Sequence, residues 1–173
     1  MSQNQQTRLI LRAYQLLEEV TPLTTDCGEL CGHRCCHGED HDGMWLLPGE
    51  EQFFLGQPGF SVQPCQDNAG YPLVVCDGHC DRRLRPFACR IFPLFPMVRL
   101  SPLGGIMVQA QMDPRAQLSC PLREREQLRM LFRRRVQRAG EILVSDPQLR
   151  AYLLETTEFL EEVAALREKM LGQ

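Results

Sequence analysis

The sequence predicts a helix-rich α+β fold, with irregular cysteine-rich loops and one or two small β-hairpins packed on three or four helices. Three observations carry this expectation. Apolar residues recur at helical spacing near both ends of the chain. Short apolar runs in the middle alternate with Gly- and Pro-containing turns. Between them lies a stretch, 24–43, dense in Cys, Gly and His and without periodicity.

Taken in order, residues 2–20 read as an amphipathic helix with Leu9, Ala13, Leu16, Leu17 and Val20 on one face, ended by Pro22. The stretch 24–43 offers little apolar area to bury, so it needs a staple to be ordered. Residues 48–55 suit a short helix, with Pro48, Glu50 and Glu51 at its N-terminus. The run Asp67-Asn68-Ala69-Gly70 is a turn signal, and 71–76 reads as a strand after it. A second hairpin joins 97–100 to 106–109 through Pro102, Gly104 and Gly105. The glycine pair lacks the rest of any phosphate-loop fingerprint and reads as a turn. From Cys120 the chain is expected to be helical to its end. Pro121 suits a first helical position, and Leu128, Leu131, Phe132, Val136 and Ala139 form a stripe. Asp146 is the expected N-cap of a last long helix, with Leu149, Leu153, Phe159, Leu160, Val163 and Leu166 as its stripe. This divides the chain into a cysteine-rich part, 1–120, and a helical extension, 121–173.

The chain has 173 residues, of which 43% are hydrophobic, enough for a modest core. A net charge of −3 says little about partners. Lys169 is the only lysine, at the far end of the chain, which disfavours Schiff-base chemistry near the cysteines. Nine cysteines are present: Cys27, Cys31, Cys35, Cys36, Cys65, Cys76, Cys80, Cys89 and Cys120. The polar N-terminus shows no secretory signal. No apolar run approaches the roughly 20 residues of a membrane span. A cytoplasmic chain without membrane contact is therefore expected. There thiols stay reduced, and clustered cysteines point to metal rather than disulfides. The odd count also suits full disulfide pairing poorly.

Spacing sharpens the metal reading. One group is Cys27-x3-Cys31-x3-Cys35-Cys36. A second is Cys76-x3-Cys80, followed by Cys89, and Cys120 stands just before a helical segment. Four-coordinate zinc needs thiolate donors about 2.3 Å from one point. Closely spaced cysteines converge there at small entropic cost, and a distant group then locks two parts of the chain together. The candidate metal ligands are Cys27, Cys31, Cys35, Cys36, Cys76, Cys80, Cys89 and Cys120, with zinc or iron, including a 4Fe-4S cluster, as the cofactor. One centre using some of these is favoured over two. Cys65 stands apart. His33, His37, His41 and His79 lie among the cysteines and are further candidates. Arg34, Arg82, Arg83, Arg85 and Arg90 flank the groups; they either stabilise thiolates or pair with Asp77 and Asp81.

The first cysteine group, together with the run from Cys76 to Pro93 (Arg85-Pro86 and Cys89-Arg90-Ile91-Phe92-Pro93 above all), resembles the CxxCxxCC, or YkgJ, family, described as a zinc- or iron-chelating domain. The resemblance covers about 27–96. The first group is spaced more widely than the family name implies, and 121–173 carry no signal of it. A flagellin lysine N-methylase has a similar cysteine motif, so the resemblance also implies a protein-modifying enzyme as an alternative. This chain shows no glycine-rich methyl-donor loop. The radical-SAM cysteine triplet differs from the first group by one residue in spacing. The leading expectation is thus a metal-binding protein with a structural, sensing or electron-carrying role, with a protein partner left open. A third class is a zinc-dependent nucleic-acid binder. Its basis is the segment with Arg123, Arg125, Arg129, Arg133, Arg134, Arg135 and Arg138. No aromatics interleave there, and pairing with Glu155, Glu158, Glu161 and Glu162 of the last helix is the preferred reading, so nucleic acid is disfavoured as a partner.

Overall fold

The computed structural model describes residues 3–36, 43–64, 70–78, 81–122 and 124–172. The fold is α+β and rich in helix. Three long helices, α1 (Gln3–Leu17), α5 (Met130–Leu143) and α6 (Pro147–Leu171), are joined by the single-turn helices α2 (Cys27–Cys31), α3 (Phe87–Ile91) and α4 (Ala116–Ser119). Strands β1 (Met44–Trp45), β2 (Phe60–Gln63) and β3 (Leu73–Cys76) form an antiparallel sheet in the order β1-β3-β2. Strands β4 (Leu94–Leu100) and β5 (Ile106–Met112) form a hairpin with Leu94 opposite Met112 and Leu100 opposite Ile106.

Helix α1 buries Ile10, Ala13 and Leu17 against α5. It stops at Leu17, short of the expected 20. Val20 is still buried, and the open carbonyls at the helix end receive Arg82, whose Nε donates to Glu18 O at 3.1 Å and Nη2 to Val20 O at 2.6 Å. The hairpin expected at 97–109 is longer than expected at both ends. The first five residues of β4 are buried, because α5 and α6 both pack on it. Its outer edge is covered: Val98 N–H donates to Thr157 Oγ1 at 2.9 Å, and Pro96, on the same edge, has no N–H to satisfy. The strand expected at 71–76 forms as β3. It has β1 on one side and β2 on the other, neither of which the sequence had suggested. The turn expected at 67–70 falls mostly outside the described residues. The short helix expected at 48–55 is a single 3-10 turn, Glu51–Phe53.

Several expectations for the C-terminal part need correction. Pro121 does not begin a helix; α5 starts at Met130. Instead, Arg125–Gln127 forms a single 3-10 turn, Leu128 is buried and Arg129 N–H is bonded to Pro22 O at 2.9 Å. Leu131 is exposed, whereas Phe132, Val136 and Ala139 are buried as expected. Asp146 does cap α6, accepting from Gln148 N at 2.9 Å and Leu149 N at 3.1 Å, with Pro147 in the first turn. The buried stripe of α6 ends at Leu160; Leu166 is 60% exposed, because the helix outruns the elements it packs on. Two of the α6 carboxylates are engaged by partners outside α5. Glu161 pairs with Arg99 of β4 and Glu155 accepts from Tyr71, while Arg138 pairs with Glu141 in its own helix.

One hydrophobic core runs through α1, α3, β4, β5, α5 and α6, taking residues from both sides of Cys120. A small satellite, Leu46, Phe54 and Val74, lies under the three-stranded sheet. No described helix is long and apolar enough to cross a membrane.

Candidate metal centre

The first cysteine-bearing stretch, 26–36, is short and is shaped by local polar contacts; of its residues only Gly28 is buried. Asp26 caps α2, its Oδ1 accepting from Gly28 N at 2.9 Å. Gly32 and His33 then take left-handed backbone conformations, φ +62° and +56°, which end the turn at once. The His33 ring folds back over Gly28. A Cβ there would lie 2.4 Å from His33 Nδ1, so only glycine leaves room. The chain turns again through Arg34–Cys36, where Cys36 N–H bonds His33 O at 2.7 Å. This stretch, expected as a loop, is therefore two linked single turns that carry four cysteines.

Other segments close on this one. Helix α4 packs against the Arg34–Cys36 turn and leads directly into Cys120. Strand β3 ends on Cys76, and two residues later Gly78, at φ +80°, brings its backbone up to the Cys36 carbonyl. Helix α3 carries Cys89. The mutual electrostatics record the gathering. Cys35 feels Cys89, Cys27 and Cys31; Cys27 feels Cys120 and Cys31; Cys120 feels Cys31. Cys27, Cys31, Cys35, Cys36, Cys89 and Cys120 thus share one neighbourhood. Cys76 approaches it through the backbone of 76–78. Cys80, Cys65, His37, His41 and His79 lie outside the described residues. Cys27, Cys31, Cys35, Cys36, Cys76 and Cys120 form no disulfide.

Adjacent Cys35 and Cys36 share a hydrogen bond, and it splits them. The bond from Cys36 pulls the Cys35 thiol down, and its counterpart, with burial and the Cys35 charge, pushes Cys36 up. Burial first, and then Asp26 and the neighbouring thiolates, push Cys27 up; burial and Cys31 do the same to Cys120. Arg85 works against this at both Cys27 and Cys36. Arg90 and Arg83 are engaged elsewhere. Arg90 donates to Arg83 O and Arg85 O, each at 2.6 Å, and Arg83 lies 3.6 Å from Asp81 at the surface.

The donor set suits a soft, thiophilic cation. Thiolates crowded together raise one another's pKa, and a multivalent cation among them reverses that penalty. Among the described residues, no group of three or more His, Cys, Asp or Glu is arranged to hold a metal ion. The described thiols are gathered without closing a ligand shell.

A group behind α3 was missed in the sequence. Glu50 is fully buried, 0% exposed, and accepts from Leu47 N at 2.7 Å, from Phe87 N at 2.6 Å and from the Tyr14 hydroxyl. Arg90 lies over the Tyr14 ring, 4.1 Å from its centre. In the sequence Glu50 read as one of two helix N-terminal charges, and nothing in its spacing links it to Phe87.

No protein-family model, curated protein or solved structure matches this chain.

Proposed function

We propose that this chain is a metal-binding protein that holds zinc or an iron–sulfur cluster through cysteine thiolates and serves a structural, sensing or electron-carrying role in the cytoplasm. The observation that carries the reading is the gathering of thiols from three separate stretches, 27–36, 89 and 120, into one neighbourhood. The resemblance of 27–36 and 76–93 to the CxxCxxCC family supports it further.

Some of Cys27, Cys31, Cys35, Cys36, Cys89 and Cys120 would hold the centre, four thiolates completing either a zinc site or a 4Fe-4S cluster, with Cys76 and Cys80 as further candidates. A bound cation supplies positive charge that lets several thiolates coexist, and a cluster would add one-electron chemistry. Arg85 lowers the cost of thiolate at Cys27 and Cys36. The low thiol of Cys35, exposed at the rim, is the first of the pair to ionise. Asp26 fixes the turn that aims Cys27 and Cys31.

Purification without oxygen, followed by metal and acid-labile sulfide analysis, tests the reading. Zinc in a colourless protein identifies the structural ion, and iron with sulfide in a brown one identifies the cluster. Protein with less than a tenth of an equivalent of any transition metal removes the reading.

A further inference from the structure

We infer that Glu50 and Tyr14 are positioning residues for the metal centre: they fix α3, and with it Cys89, from behind. The inference rests on the metal-binding reading and adds to it residues that lie outside the cysteine cluster.

Helix α3 is five residues long and begins after Pro86, which provides no side-chain cap. A helix this short gains little from its own hydrogen bonds, and its first N–H groups are open. Glu50 Oε1 accepts Phe87 N–H at 2.6 Å across 37 residues of sequence, so the cap comes from a different segment. The same oxygen takes the Tyr14 hydroxyl of α1, and Oε2 closes the Glu50 loop on Leu47 N at 2.7 Å. Arg90, on α3 itself, donates to Arg83 O and Arg85 O and stacks on Tyr14. Phe87 and Ile91 are buried in the main core. The helix is thus held at its start by Glu50, at its end by Arg90 and on one face by apolar contact. Cys89, midway between the buried Phe87 and Ile91 and next to Arg90, has its direction set by these holds. Groups that orient ligands from behind typically contribute roughly 10- to 100-fold in metal affinity.

The test is zinc binding by the full chain under reducing conditions, in competition with a chromophoric chelator, and the thiolate-to-metal absorption of the cobalt(II) form. Glu50→Gln keeps the shape but puts an amide where two backbone N–H groups and a hydroxyl need acceptors. Tyr14→Phe keeps the ring beneath Arg90 and removes only the hydroxyl. Asp146→Ala destabilises α6 without touching α3 and is the control. Glu50→Gln is expected to weaken zinc binding about 10- to 100-fold and to lose cobalt–thiolate intensity as Cys89→Ser does. Tyr14→Phe should move both readouts in the same direction by less, and Asp146→Ala should move neither. If Glu50→Gln does not fold, Tyr14→Phe decides alone. Zinc affinity and cobalt spectrum unchanged in Glu50→Gln and Tyr14→Phe overturn the inference and leave the metal reading standing, as does equal weakening in Asp146→Ala. Wild-type protein that takes up neither ion overturns both.

Discussion

A carboxylate taken wholly out of water is costly unless its oxygens meet donors. Glu50 meets three, yet burial still pushes its pKa above the ordinary 4.5, with Tyr14, Phe87 N, Leu47 N and Arg90 pulling against it. With a raised folded value, Glu50 binds its proton more tightly in the folded than in the unfolded chain. Its contribution to stability is fully present below about pH 4.5 and is lost as pH rises through the folded value. Urea titrations across this range should therefore show wild type losing stability relative to Glu50→Gln as pH increases from 4.5. Parallel stability curves for the two proteins would contradict this. Residue identity made the cysteine groups legible, because close spacing and thiol chemistry are written in the chain. Glu50 was not legible: its partners lie on α1 and α3, and no local pattern announces a contact made across 37 residues.

At the scale of elements, the two ends of α6 show which signals travel from sequence to structure. Asp146 and Pro147 are adjacent and act locally, so the cap could be read directly. Asp146→Ala should cost about 1 kcal/mol in chemical denaturation, because Gln148 N and Leu149 N lose their acceptor. The far end followed apolar periodicity past Leu160, but periodicity does not reveal whether anything lies opposite. The start of α5 failed for a related reason. Pro121 permits a helix, yet the bond from Arg129 N to Pro22 O and the burial of Leu128 tie 128–129 to the segment that follows α1. Gly140 marks where α5 crosses the hairpin. A Cβ there would meet Pro96 Cβ at 2.6 Å and Val108 Cγ1 at 2.8 Å. Gly140→Ala should therefore destabilise by about 1–3 kcal/mol through overpacking, despite the gain in helix propensity. A neutral or stabilising result would show that β4 and α5 part easily.

Across the whole molecule, stability is unevenly distributed. The large core joins α1, α3, β4, β5, α5 and α6, whereas the cysteine-bearing turns contribute little to it; Leu30 of α2 is 70% exposed. Chelation of the metal should accordingly raise amide hydrogen exchange in 26–36 and 76–86 while α5 and β4 keep their protection. Uniform loss of protection would mean that the ion organises the entire chain; no change would mean that the turns stand without it. The helix-rich α+β class was legible because three periodic stretches and one hairpin dominate it. The three-stranded sheet was not, since β1 has two residues and β2 four, too few to display alternation.

The central claim is that thiolates drawn from Cys27, Cys31, Cys35, Cys36, Cys89 and Cys120 bind one metal centre. X-ray absorption at the metal edge of protein purified without oxygen counts their sulfurs directly. A shell dominated by sulfur at about 2.3 Å, losing amplitude in Cys89→Ser and in Cys120→Ser, is the expected result. A shell of oxygen and nitrogen alone, or one unchanged in both variants, would contradict it.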